Sequence, residues 1–235
     1  MATSWSLAQR EIRAFFDGPL AYVVLTVFLL IVGWFFGTTL FLQNVASLRE
    51  VFNIIPFIFL FFIPALTMST FAEERRARTL ELLLTMPIKD WQLIVGKLLA
   101  VTIFLVVAIG LTLLYTLTLA TLGDLDFGAT LGGYLGLFLL GMTYAAIGVF
   151  ASSLTRNQIV AFILAFAIIF TFFMLDKVTA LLPGTLGTVL QYMSTEYHYQ
   201  NLLRGVIDTR DVLYYVSMTA FAILLTAYNL ARRPE

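Results

Sequence analysis

Residues 98–122 read LLAVTIFLVVAIGLTLLYTLTLATL, an uncharged run long enough to cross the hydrocarbon core of a bilayer as one helix. About 20 mostly apolar residues suffice for a span, because backbone N–H and C=O groups in hydrocarbon must be satisfied within their own helix. The whole chain has the same character: its 235 residues are 60% hydrophobic and 12% charged, where a soluble domain has roughly 25% charged residues. The sequence therefore predicts an all-α integral membrane protein.

Five further segments are apolar enough to span a membrane, which makes six spans in one transmembrane domain over residues 1–235. The second span contains Pro56 and Pro64, each of which removes a backbone donor and frees a carbonyl group. Such a helix is tolerated where neighbours or water satisfy the freed groups, so we expect it to face other helices. The predicted spans are 20–42, 54–71, 98–122, 134–154, 159–175 and 213–230.

The distribution of Lys and Arg predicts the orientation, since these residues collect on the cytoplasmic side of membrane spans. With six spans, ten of the fourteen basic residues fall on the side of the two termini, and four fall on the other side. The four are Arg49, Lys177, Arg204 and Arg210. Both termini are therefore expected in the cytoplasm, and the first apolar run is too long for a cleavable signal peptide.

Before the first span, residues 4–16 repeat apolar side chains at helical spacing, with Arg10 and Arg13 elsewhere on the helical wheel. This pattern predicts an interfacial helix that lies flat on the membrane. Gly18 and Pro19 would break it before the chain enters the bilayer. The alternative is a frayed extension of the first span.

The charged segment between the second and third spans also has a helical pattern, over residues 73–86. Ala77, Leu80, Leu83 and Leu84 form an apolar stripe, and Pro87 closes the segment. Glu74 and Arg78 are spaced as an i, i+4 ion pair. A solvated loop that serves only topology is one interpretation; the apolar stripe favours a helix that docks on a protein.

The run EERRARTLELLLTMP at residues 73–87, followed by Gly96 and Lys97, resembles the type 2 family of ATP-binding-cassette permeases. Members carry the pattern E-x-x-x-G-T-x-E-x-L-L-x-x-P between spans two and three. This resemblance implies a cytoplasmic coupling helix in a cleft of an ATPase subunit. The implied contact residues are Glu73, Glu74, Arg78, Thr79, Glu81, Leu82, Leu83 and Pro87. Arg78 replaces the usual glycine, from which we expect a more regular helix.

Longer segments of the sequence resemble one subgroup of this family. The segments YVVLTVFLLIVGWFF, PALTMSTFAEERRARTLELLLTMP and NLLRGVIDTRDVLYYVS look like the GldF-like group of gliding-motility permeases. The NosY permeases of nitrous-oxide reductase maturation are more distantly similar. The resemblance implies a bacterial inner membrane protein that pairs with two ATPase subunits. It also implies a second membrane subunit with a large extracytoplasmic domain.

The chain lacks a phosphate-binding loop of the Gly-x-x-x-x-Gly-Lys-Ser/Thr type, because Gly96 and Lys97 are followed by Leu98. We therefore expect no cofactor on this chain, with ATP and Mg²⁺ bound in the partner ATPase. With one histidine and no cysteine, the sequence offers no multi-imidazole or thiolate metal site. We expect no metal site, no catalytic residue and no nucleic-acid partner.

Phenylalanines are abundant in the second and fifth spans, where lipid contact and helix packing explain most of them. The functional alternative is a gate or a lipid-like passage between these two helices. Its candidate residues are Phe57, Phe61, Phe166, Phe170 and Phe173.

The segment at residues 176–212 is partly apolar and is predicted to re-enter the outer leaflet. Ser194 or Thr195 can cap a short helix there that ends before Gly205. That helix carries Tyr197, His198 and Tyr199, which together with the preceding Tyr192 are expected in an aromatic belt rather than a substrate site.

Arg156, Asn157 and Gln158 form a polar turn between spans four and five, and this turn is a candidate second contact to the ATPase. The sequence as a whole favours a permease subunit that couples a partner's ATP hydrolysis to export or to force transmission. A homodimeric exporter of lipid or polysaccharide precursors is the nearest alternative. A membrane scaffold or an intramembrane enzyme is the alternative from another class.

Overall fold

The computed structural model describes residues 2–42, 47–79, 89–122, 126–179 and 184–231. These residues confirm the all-α class, and six helical stretches are long and apolar enough to cross a membrane. The helices are α1 Ala2–Asp17, α2 Pro19–Gly37 with a π-helical turn Thr38–Leu42, α3 Arg49–Thr67, α4 Ser69–Arg76, α5 Asp90–Leu122, α6 Phe127–Ser153, α7 Gln158–Thr179, α8 Thr185–Met193, α9 Thr195–Leu203 and α10 Thr209–Ala231.

The helices of the second and third spans are longer than the hydropathy of the sequence indicates. The second candidate span covers Arg49–Arg76, formed by α3 and α4 together, and the third covers Asp90–Leu122. Hydropathy detects only the stretch that matches the hydrocarbon, whereas a helix continues wherever its polar turns find protein partners. As a result, Lys97 lies about two turns inside α5 rather than at its end.

Helix α6 forms the centre of the bundle and packs against α3, α5, α7, α9 and α10. Its glycines allow the neighbouring backbones to come close, as is usual for helices in membranes. A Cβ atom at Gly148 would overlap the side chain of Thr67, and one at Gly132 would overlap the carbonyl oxygen of Leu202. The contacts of α6 with α3 and α9 therefore depend on these two glycines.

Pro56 in α3 leaves the carbonyl group of Phe52 without its helical donor. The hydroxyl group of Tyr199, in α9, donates to that carbonyl oxygen at 2.7 Å. This agrees with the expectation that a neighbouring helix satisfies a group freed by the prolines. It also corrects the expectation for Tyr199, which is fully buried in the core and does not belong to an aromatic belt.

Helices α1 and α2 are separated at Gly18, whose backbone is extended, and Pro19 begins α2. Helix α1 packs mainly against α5, and the Phe16 ring lies 5.6 Å from the Phe104 ring. It is thus a helix of its own rather than an extension of the first span. That α1 lies at a membrane surface remains a prediction.

Two short helices, α8 and α9, connect the last two spans. Helix α9 begins after Ser194 and ends before Gly205, as expected, although the Ser194 side chain makes no capping hydrogen bond. His198 is buried, with its Nδ1 2.6 Å from Asp211 Oδ1 and its Nε2 3.0 Å from the carbonyl oxygen of Tyr192. His198, which was expected in an aromatic belt, is therefore part of the packed interior. Re-entry of this segment into the membrane remains a prediction.

Candidate coupling site

Helix α4 leaves the end of the second span and is held there by a serine from α6. The Ser152 hydroxyl group donates to the carbonyl oxygen of Met68 at 2.9 Å. Ser152 Oγ in turn accepts from the backbone N–H groups of Phe71 and Ala72 at 3.0 and 3.1 Å. Amide groups in the first turn of a helix have no partner within the helix. Ser152 therefore acts as a distant cap that fixes the angle between α3 and α4.

A group of charged side chains joins α1, α4 and α5, and we call it the Lys97 cluster. Lys97 Nζ donates to Glu74 Oε1 at 2.8 Å and to Glu11 Oε1 at 3.4 Å. Arg10 completes the cluster through contacts with both carboxylates. The Lys97 side chain is 1% exposed, whereas those of Glu74 and Glu11 are 17% and 18% exposed.

Burial makes the Lys97 cluster a strong constraint. A buried charge that loses its partner is costly, by about 3–5 kcal/mol for a removed partner. The ammonium group also lies 5.1 Å from the centre of the Phe71 ring. Because Lys97 has to keep its carboxylate partners, α1, α4 and α5 are expected to move together at this end of the bundle.

The end of α4 differs from the sequence-based expectation. The helix ends at Arg76, and Arg78 has a φ angle of +57°, in the left-handed region that favours glycine. The expected uninterrupted helix over residues 73–86 is thus broken at Arg78 within its described part. The backbone requires the turn here even with an arginine side chain, so the expectation of a more regular helix was wrong.

The expected pair of Glu74 with Arg78 is also absent from the described contacts, because Glu74 turns to Lys97 instead. Thr79 follows the turn, and its hydroxyl group lies 3.4 Å from the carbonyl oxygen of Glu74. Arg78 and Thr79 are both exposed. The other members of the predicted contact, Glu81, Leu82, Leu83 and Pro87, lie outside the described residues.

The candidate second contact lies directly beside α4. Gln158, the first residue of α7, donates from Nε2 to Glu73 Oε2 at 3.2 Å. Asn157 Oδ1 accepts from the backbone N–H of Ile159 and so caps α7, and Arg156 is exposed in the same turn. The fold therefore brings residues 156–158 and residues 73–79 to one surface.

A cleft of about 630 Å³ lies between these elements. Helices α1, α4, α5 and the start of α7 form its walls. Three carboxylates line it, from Glu11, Glu73 and Glu74, together with the single ammonium group of Lys97. The lining of this cleft is thus acidic and polar, in contrast with the apolar flanks of the spans.

The candidate gate residues separate into two groups. Phe57, Phe61, Phe166 and Phe170 form an aromatic row across α3 and α7, in which the rings of Phe61 and Phe166 lie 5.0 Å apart. This row lies on the outside of the bundle, because Phe57 and Phe61 are about half exposed. Phe173 is buried and does not join it. Any passage bordered by the row would therefore lie between this subunit and a neighbour.

Sequence reasoning missed Ser152 and Glu11 and underrated Lys97. A signal for Lys97 was present, since Leu93, Lys97 and Phe104 fall on one helical stripe once α5 is started at Asp90. No pattern in the sequence distinguishes Ser152 from the other hydroxyl residues at span ends. Its role depends on the approach of α6 to the junction of α3 and α4.

The six apolar helices define a multi-pass helical membrane protein. At one end of its bundle, the Lys97 cluster ties three helices together. Comparison with known protein families matches residues 35–230 to the ABC-2 family transporter protein. The chain belongs to this family of ABC transporter membrane proteins, since the match covers most of its length. A search among curated proteins found no match. Membership of this family implies that the chain is a permease subunit. It also implies that the subunit works with an ABC ATPase and belongs to a dimer of membrane subunits.

Proposed function

We propose that this permease subunit receives the ATP-driven movement of two ABC ATPase subunits through residues 73–87. It passes that movement to the spans that contain α3 and α5. ATP and Mg²⁺ are bound in the partner. The protein lies in a bacterial inner membrane, with both termini and α4 in the cytoplasm, as the basic residues favour.

The observation that carries this proposal is the Lys97 cluster. Coupling of distant sites requires elements that move as units between discrete arrangements. Helix α4 continues the second span directly, and Glu74 ties it to Lys97 in the third span. A displacement of α4 therefore acts on two spans and, through Glu11, on α1.

The proposed ATPase contact has two parts on one surface. The first is the α4 end with Glu73, Glu74, Arg78 and Thr79, continued by Glu81, Leu82, Leu83 and Pro87. The second is the turn of Arg156, Asn157 and Gln158. The hydrogen bond between Gln158 and Glu73 supports a single continuous contact.

We further propose that the membrane dimer pairs this chain with a second membrane subunit that carries an extracytoplasmic domain, as in GldF-like permeases and, more distantly, NosY permeases. The complex then exports a substrate or transmits force across the membrane. Pairing with a second copy of this chain, as in a homodimeric exporter of lipid or polysaccharide precursors, is the competing arrangement. No observation on the described residues favours a scaffold or an intramembrane enzyme.

Copurification tests the ATPase contact. Leu83→Asp should leave the permease inserted but remove the ATPase from the purified complex, and Glu81→Lys should weaken the complex. The matched control is Val206→Asp, since Val206 is 65% exposed in the loop at the other end of the bundle. Full ATPase retention by Leu83→Asp and Glu81→Lys would contradict the proposal. The same purification shows whether the membrane partner is a second copy or another protein.

Cysteine labelling tests the orientation, because the natural chain contains no cysteine. Arg78→Cys should react with a membrane-impermeant maleimide in inverted vesicles and not in intact cells. Val206→Cys should show the opposite pattern. Labelling of Arg78→Cys from outside the cell would overturn the assignment of α4 to the cytoplasm.

A further inference from the structure

A second cleft lies at the end of the bundle opposite the Lys97 cluster, and we call it the arginine cleft. Its volume is about 390 Å³. It lies where α3 and α6 begin and where α5 and α9 end. The lining residues are Ser47, Leu48, Arg49, Phe52, Leu119, Asp126, Ala129, Thr130, Leu203 and Arg204.

Two arginines from distant parts of the sequence line this cleft. Arg49 opens α3 and Arg204 follows α9, and both are exposed. Within the described part of the chain, neither guanidinium group has a carboxylate within ion-pair distance. The third charged lining residue is Asp126, whose Oδ1 already accepts from the backbone N–H groups of Gly128 and Ala129. Among the described residues that line the cleft, two guanidinium groups therefore accompany one carboxylate group, which is an excess of positive charge.

This positive charge stands out against the distribution in the rest of the chain. Only four of the fourteen basic residues fall at this end, and two of those four line one cleft. Guanidinium groups bind phosphate and carboxylate groups through paired N–H donors. Two such groups beside one cavity favour an anionic ligand with several acceptor oxygens.

The remaining lining residues indicate what the anion is attached to. Leu48, Phe52, Leu119 and Leu203 form an apolar floor and are each at least 95% buried. Ser47 Oγ accepts from the backbone N–H of Arg49, which leaves its O–H free to donate to a ligand. A site with cationic and hydroxyl donors at the rim and an apolar floor matches the phosphate end of a lipid better than a free ion.

We propose that the arginine cleft binds the phosphate group of an anionic phospholipid from the leaflet at this end of the bundle. Arg49 and Arg204 bind the phosphate oxygens, and the first carbons of the lipid contact the apolar floor. This site is independent of the proposed ATPase contact, which lies at the other end of the six spans.

A lipid-binding measurement tests the proposal. The purified, delipidated protein is titrated with short-chain phosphatidylglycerol, and binding is measured by native mass spectrometry. Arg49→Gln and Arg204→Gln should each weaken binding by about tenfold, as expected for the loss of one charge-assisted contact. The matched control is Arg210→Gln, because Arg210 is exposed at the same end but does not line the cleft. It should bind like the natural protein.

Two further ligands distinguish the sources of the phosphate group. Short-chain phosphatidylcholine should bind more weakly than phosphatidylglycerol, and inorganic phosphate should not compete at equal concentration. Competition by inorganic phosphate at equal concentration would assign the site to a free anion and overturn the lipid proposal. Equal losses in the Arg49, Arg204 and Arg210 variants would also overturn it, since they would show only a general charge effect.

The Arg204→Lys variant distinguishes a loss of lipid contacts from a loss of folded structure. It keeps the positive charge but loses the paired donors of the guanidinium group. Binding by this variant should fall between that of the natural protein and that of Arg204→Gln, with an unchanged thermal midpoint. A lysine variant as weak as the glutamine variant with a lowered midpoint would assign the effect to structure and contradict the proposal. Retained ATPase copurification in all variants would separate this site from the coupling site.

Discussion

Replacement of Lys97 by methionine is the sharpest test of the Lys97 cluster. Methionine keeps most of the length of the aliphatic stem and its packing against Phe71, but it removes the ammonium group. Glu74 and Glu11 then face each other through a mostly buried space without their cation. The Arg10 guanidinium remains at 3.8 Å from Glu74 and compensates only in part, because its side chain is 53% exposed.

The magnitude follows from the burial of the three groups. Removing one partner of a buried ion pair costs about 3–5 kcal/mol. The carboxylates are 17% and 18% exposed, so water reaches them and we expect the lower end, about 3 kcal/mol. For a chain of this size, that loss lowers the thermal midpoint by roughly 6–12 °C. A Glu74→Gln/Lys97→Met variant should lose less than the sum of the single variants, because the glutamine removes the charge left unpaired.

The assay is thermal unfolding of the purified protein in detergent, followed by the ATPase rate of the assembled complex. Lys89→Met is the matched control, since Lys89 is exposed at the same end of the bundle. We expect an unchanged thermal midpoint and an unchanged ATPase rate for Lys89→Met. For Lys97→Met we expect both the thermal midpoint and the ATPase rate to fall. Equal midpoints for the two methionine variants would refute the reasoning that Lys97 is an essential buried charge. Strict additivity with Glu74→Gln would refute the pairing.

Three further perturbations address other contacts. Tyr199→Phe leaves the Phe52 carbonyl without a donor and should cost about 1–3 kcal/mol in unfolding free energy, with a smaller loss when Pro56→Ala restores the helical N–H. Ser152→Ala leaves the two amide groups at the start of α4 unpaired in a buried site, for a similar cost, and should also lower the ATPase rate of the assembled complex. Glu196 lies outside the spans, and burial raises the pKa of its carboxyl group above the usual 4.5. The folded state is then penalised progressively as pH rises through that raised pKa, so Glu196→Gln should raise the thermal midpoint at pH 8 and lose this advantage towards pH 5.

Each of these tests has its own contradicting result. An unchanged midpoint for Tyr199→Phe, or the same loss with and without Pro56→Ala, would show that the hydroxyl group does not serve the freed carbonyl. A Ser152→Ala variant that matches Ser217→Ala, which removes an exposed hydroxyl group in α10, would count against the distant cap. A benefit of Glu196→Gln that is constant from pH 5 to pH 8 would show that ionisation of the carboxyl group is not its cause.

The site was predictable in part. The charged run at residues 73–87 was the predicted docking segment, which stays a prediction, and the structure brings its described end together with Gln158. The pairing of Glu74 was mispredicted, because an i, i+4 rule considers one helix and ignores a lysine from another span. The turn at Arg78 was also mispredicted, since side-chain identity suggested a regular helix while the path of the chain requires a left-handed residue.

The amino-acid sequence was sufficient to predict a six-span helical membrane protein that resembles ABC permeases. Hydrocarbon imposes the spans locally, because each span must satisfy its own backbone hydrogen bonds over a fixed thickness. The three-dimensional arrangement was needed to find Lys97 buried between Glu74 and Glu11. It was also needed to find Tyr199 bonded to the Phe52 carbonyl group that Pro56 frees, and to place Arg49 and Arg204 on one cleft. Those pairings depend on which helices become neighbours, and the packing of small residues along α6 sets that arrangement rather than any pattern within one segment.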